Sequence, residues 1–172
     1  SAGCANCYAR AIYERFGRDF STVTFSYPKL ARMFHTQYPQ DGNVRGPHTR
    51  PICFVVDTGD LFHEDVTLST QVSALTMMGA REDVDWVVLT KRPQNIAPVL
   101  VWWPNIWLGV TAENQEMADK RIPLLLATGA KVKFVSVEPM LEYVNLHDYL
   151  DRLSWVIVGG ESGHGARPMH QK

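Results

Sequence analysis

From residue 52 onward, short apolar runs rich in β-branched residues alternate with polar turns and helical stretches. The runs are ICFVVD (52–57), VDWVVLT (84–90), NIWLGVT (105–111), VKFVSVE (132–138) and LSWVIVGG (153–160). They are apolar on both faces, as strands covered from both sides are. Between them lie LSTQVSALTMMGARED, QNIAPVLV, NQEMADKRIPLLLATG and the short NLHDYLDR, which read as helical. A spacing of roughly 25 residues suits successive βα units in a parallel sheet. Thr67 and Asn114 are the expected helix N-caps, and Gly79 and Gly129 the expected C-terminal stops.

The first third of the chain is less regular. CYARAIYERFG (7–17) reads as a helix, STVTFSY (21–27) as a strand, and HTQYPQDGNVRGPHTRP (35–51) as a polar loop. Consecutive βα units fit a (β/α) barrel or an open doubly wound sheet. No G-x-G-x-x-G follows the first clear strand, which weakens the dinucleotide-binding version. A complete barrel needs about 250 residues. The 172 residues therefore predict one α/β domain over 1–172, a partial (β/α) barrel with parallel strands and outer helices, truncated at both ends. The chain starts on serine, so an upstream segment is expected to be missing.

Composition narrows the classes. With 45% hydrophobic residues the chain can build a sizeable core. Lys+Arg 17 against Asp+Glu 18 gives a net charge of −1, which argues against strong non-specific binding to nucleic acid or anionic membrane. No apolar run approaches the ~18 residues of a membrane span. Three cysteines leave a remainder in any disulfide scheme, so a reducing, cytoplasmic setting is expected.

In barrels the functional groups gather at the carboxyl ends of the strands. Here those ends deliver Asp57–Asp60, then Thr90, Lys91 and Arg92, then Thr111, Glu113 and Asn114, then Ser136 and Glu138, then Gly159, Gly160 and Glu161. Loops facing solvent are polar in any case. The concentration of charge directly after apolar strands nonetheless points to one rim with a ligand site. Its expected cofactor-binding residues are Asp60, Lys91, Glu113, Asn114, Glu138, Gly159, Gly160 and Glu161. Each has a plainer reading: Asp60 as a turn cap, Glu113–Asn114 as a capping pair, Lys91–Arg92 as a charged helix start. Trp107 and Cys53 read as strand core, and Trp102–Trp103 as helix-end packing.

Cys4 and Cys7 open the chain as a C-x-x-C pair before a helix. Such pairs serve redox exchange, structural zinc and iron–sulfur clusters. No strand precedes this pair, as a thioredoxin-like site requires, and no H-x-x-x-H supplies further zinc ligands. Thiolates beside helix N–H groups at a barrel mouth suit an anionic cluster.

Several motifs then fall into one order: SAGCANCYA (1–9), GDLFHEDV (59–66), LTKRP (89–93), NIWLGVTAENQ (105–115), RIPLLL (121–126), KFVSVEPML (133–141) and WVIVGGESGHGARPMH (155–170). Together they resemble a phage and bacterial family, the gene products thirty-seven and sixty-eight, also called three-cysteine-motif proteins. The resemblance implies a radical-SAM-type barrel, similar to the spore photoproduct lyase group. It further implies a [4Fe–4S] cluster, S-adenosylmethionine as second cofactor, and a three-cysteine-motif partner protein. By position, Cys4 and Cys7 match the family's second and third cysteines as metal ligands, and the first would precede Ser1. The GGE at 159–161 resembles the motif that holds the amino group of S-adenosylmethionine.

Three readings follow. The leading one is a radical enzyme acting on nucleic acid or another large substrate. The second is a non-catalytic interaction module with a zinc clip. The third is a barrel hydrolase using Asp60, His63 and Glu138.

Overall fold

The computed structural model describes residues 2–38, 50–162 and 165–169. Five strands, β1 (Ile52–Val55), β2 (Asp85–Thr90), β3 (Ile106–Thr111), β4 (Val132–Val137) and β5 (Trp155–Val158), pair in chain order. Every pairing is parallel. The sheet curves into half of a barrel flanked by helices, so the expected α/β architecture and strand order are present. Among the described residues no helix is long and apolar enough to cross a membrane.

Alternation along each strand divides the apolar residues between two faces. Trp86, Val88, Ile106, Leu108, Val110 and Val135 point outward into the main core. There they meet Leu75 and Met78 of α3 (Leu68–Gly79) and Ile122 and Leu125 of α4 (Gln115–Leu126). Val87, Trp107 and Phe134 point the other way and form a second cluster with Leu89, Val132 and Ile157 on the concave face. Trp107 is thus core, as expected, but on the inner face. Cys53 is half-buried against the outer core.

Thr67 caps α3, its hydroxyl accepting from Thr70 N at 3.3 Å, and Asn114 caps α4, accepting from Met117 N at 2.9 Å. Two expectations need correction. STVTFSY is not a strand: 23–26 is irregular and Ser26 caps α2 (Tyr27–His35), whose Pro28 occupies the first turn. QNIAPVLV is not an α-helix, because Pro93 and Pro98 break the run and leave a 3-10 turn at Pro93–Asn95. α3 does end at Gly79, as expected, though not in a left-handed turn. A Cβ there would sit 2.2 Å from the Trp103 ring, so close packing demands glycine. The first helix, α1, runs Tyr8–Arg15 within the expected 7–17. The expected loop 35–51 lies largely outside the described residues.

Candidate functional site

A cavity of about 720 Å³ opens at the carboxyl ends of the strands, on the concave face. That volume falls within the range of small-molecule and cofactor sites. Its floor is the inner face of the sheet: Phe54, Leu89, Thr111, Ser136 and Ile157. Its wall is the N-terminal segment, from Asn6 to Tyr13 and from Phe20 to Phe25. The stretch read as a strand therefore encloses the cavity instead of extending the sheet.

Of the ten expected site residues, Cys7, Asp60, Lys91, Glu138, Gly160 and Glu161 line this cavity. Glu113, Asn114 and Gly159 do not, and nothing is described of the Cys4 side chain. Asn114 is engaged as the α4 cap. Gly159 acts as a platform: its missing side chain gives the Glu138 carboxylate room, since a Cβ would lie 3.0 Å from Glu138 Cδ.

The cavity's charged groups differ sharply in their partners. Asp60 accepts from Thr90 Oγ1 at 2.7 Å, Phe62 N at 3.0 Å, Lys91 N at 3.0 Å and Arg92 Nη1 at 3.3 Å. It ties the loop after β1 to the end of β2, which leaves it little capacity for a ligand. Lys91 reaches inward instead, its Nζ 3.4 Å from Thr111 Oγ1. Among the described residues no carboxylate lies within ion-pair distance of Lys91, and none donates to Glu138. Lys91 is thus an available cation of the cavity, and Glu138 an available anion. Asp57 is another, since its carboxylate likewise has no donor among the described residues.

Tyr8, next to Cys7, donates from its hydroxyl to the carbonyl of Asp57. Burial, followed by the negative charges of Asp57, Cys7 and Glu138, pushes its phenol above the usual range. Tyr8 was missed in the sequence, although it directly follows the C-x-x-C pair. The residues of the hydrolase reading, Asp60, His63 and Glu138, all line the cavity but form no hydrogen-bonded set. The His63 imidazole bonds Asp65 N at 3.2 Å and approaches Glu64 at 3.5 Å, and no hydrogen bond joins it to the Asp60 or Glu138 carboxylates.

Glu161 and Glu113 hold protein, not open space. Glu161 accepts from Asn6 Nδ2 at 2.9 Å and from Arg167 N at 2.8 Å and Nε at 2.9 Å. These bonds, led by those from Arg167, hold its carboxyl down at about 2. Glu113 is fully buried, with Oε2 2.8 Å from Arg121 Nη1 and Oε1 3.4 Å from Gly3 N.

A parallel half-barrel with a mixed polar and aromatic cavity at its carboxyl edge defines an α/β protein with a cofactor-sized site. Within that class the chain belongs to the family described as protein of unknown function (DUF5131), whose model matches residues 1–172. No curated protein and no solved structure matches the chain.

Proposed function

We propose that this chain is the cofactor-holding barrel of an iron–sulfur, S-adenosylmethionine-dependent radical enzyme of the phage three-cysteine type, acting on nucleic acid or another large substrate. One observation carries the reading. The C-x-x-C segment lies at the carboxyl edge of the half-barrel, with Cys7 in the wall of the same cavity as Lys91 and Glu138.

The residues present supply two of the cluster's three thiolates and suit S-adenosylmethionine. Cys4 and Cys7 would supply thiolates to iron, and Cys7 stands at the N-terminal cap of α1, where helix N–H groups favour negative charge. Lys91 suits the carboxylate of S-adenosylmethionine and Glu138 its ammonium. The GGE glutamate is engaged elsewhere, so Glu138 takes the role that the resemblance gives to Glu161. When bound, the two cofactors supply hydrogen-atom abstraction; the protein supplies orientation and exclusion of water. Tyr8, Phe20 and Phe25 form the wall that shields the cavity from solvent.

Anaerobic reconstitution of a longer chain that carries the family's first cysteine ahead of Ser1 should give a brown protein that forms 5′-deoxyadenosine from S-adenosylmethionine on dithionite reduction. Residues 1–172 alone, with two thiolates at the site, should hold the cluster poorly and stay inactive. Cys7→Ala should bring bound iron down to background. Lys91→Met should weaken S-adenosylmethionine binding about 10- to 100-fold, the worth of a hydrogen bond to a charged group. A colourless protein holding zinc that Cys7→Ala releases would reject the radical reading in favour of the zinc clip.

A further inference from the structure

The segment that carries the cysteines has little apolar anchorage. Ala2, Ala5 and Asn6 are exposed, and α1 buries only Ala9. Its backbone forms a single 3-10 turn at Ala2–Cys4 before the helix begins. What fixes it over the sheet is a set of polar bonds: besides the Tyr8 hydroxyl on Asp57 O after β1, bonds reach it from beyond β3 and β5. From the end of β3, Glu113 accepts from Gly3 N at 3.4 Å, itself braced by Arg121. Gly3 is tight there, since a Cβ would lie 3.3 Å from Glu113 Cδ. Beyond β5, Glu161 accepts from Asn6 Nδ2, which also donates to Gly165 O at 3.2 Å. Arg167 pairs with Glu161 and donates through Nη2 to Ala2 O at 3.0 Å.

From this we infer that Glu161 and Arg167 are positioning residues: with Asn6 and Glu113 they form a clasp that sets the place of the C-x-x-C pair relative to the cavity. The clasp grips residues 2, 3 and 6, on both sides of Cys4 and directly before Cys7. Either cysteine therefore moves if it opens. Outer groups that orient ligand-bearing backbone are worth about 10- to 100-fold in metal affinity. The role in cofactor binding rests on the reading above that the cysteines are ligands; the clasp itself does not.

The test uses the reduced, metal-free chain in wild type, Asn6→Ala, Glu161→Gln, Glu161→Asp and Arg167→Met, with Lys120→Ala as a surface control. Amide exchange at residues 2–7 and alkylation of Cys7 by iodoacetamide should rise about tenfold or more in Asn6→Ala, Glu161→Gln and Arg167→Met. Exchange in α3 and α4 should stay unchanged, and Glu161→Asp should recover part of the protection. Asn6 is exposed, so its variant keeps the test valid if the charge variants unfold. Rates at 2–7 within twofold of wild type, or equal acceleration in α4, would overturn the clasp. Cobalt(II) alone is then titrated into each protein. A thiolate-to-cobalt band that weakens about 10- to 100-fold in affinity without the clasp supports the positioning role. Absence of that band in wild type would reject the cysteines as ligands, and the exchange data would then judge the clasp alone.

Discussion

Asn105 shows how much one buried polar side chain can hold. It stands just before β3, and its Nδ2 donates to Met78 O at 3.1 Å, Arg81 O at 2.9 Å and Val84 O at 3.1 Å. These are carbonyls at and beyond the end of α3; Met78 O also accepts from Arg81 N at 3.1 Å and Arg81 O from Val84 N at 3.2 Å. Asn105→Ala would leave the buried Val84 O without this donor and remove the second donor from Met78 O and Arg81 O, and should cost about 1–3 kcal/mol in urea unfolding. A change below about 0.5 kcal/mol, the range of neutral surface substitutions, would show that other groups satisfy them. Nothing in the sequence marks this role, because the acceptors lie more than twenty residues away. Thr67 and Asn114 were legible as caps for the opposite reason. Each accepts from the amide three residues on, a purely local geometry.

At the scale of elements, the five strands were legible because both-sided burial writes a continuous apolar run. Proline alone did not decide the helices: α4 was legible with Pro123 inside it, whereas the eight-residue QNIAPVLV, preceded by Pro93 and interrupted by Pro98, forms no α-helix. α2 was missed although Ser26 and Pro28 form a start signal, because TVTF ahead of them reads as strand. What the apolar runs conceal is which face each side chain occupies and how tightly the faces fit. Gly109, in the middle of β3, faces the concave side, where the Phe134 ring lies across it. A Cβ would meet that ring at 2.3 Å. Gly109→Ala should therefore destabilise the fold by about 1–3 kcal/mol through overpacking, despite the better strand propensity of alanine. Phe134→Leu in the same chain should recover part of that loss, since the ring is the obstacle. If the double variant is no more stable than Gly109→Ala alone, the contact between β3 and β4 is not what demands glycine.

Across the whole molecule, the carboxyl rim was legible because a barrel sends the residues after each strand to one end, and six of the ten expected site residues do line one cavity. The sequence could not tell an available carboxylate from an engaged one. Asp60, Glu113, Glu138 and Glu161 all follow strands, yet only Glu138 is left without a donor among the described residues. The others are distinguished by Arg92, Arg121 and Arg167, partners that tertiary structure alone brings close. Glu161 offers the sharpest test of that distinction, because its bonds join Asn6, ahead of α1, to Arg167, beyond β5. With a side chain only 4% exposed and a carboxyl held at about 2, it stays ionised in the folded protein far below the ordinary value of 4.5. A carboxyl depressed by folding stabilises above its unfolded value and loses that contribution as pH falls toward the folded one. The clasp's contribution should therefore be complete above about pH 4.5, decline below it, and vanish near pH 2. Urea midpoints of wild type and Glu161→Gln should differ most at neutral pH and converge over that acid window. A gap that stays constant from pH 7 to pH 2.5 would mean that Glu161 is not the titrating member of the clasp.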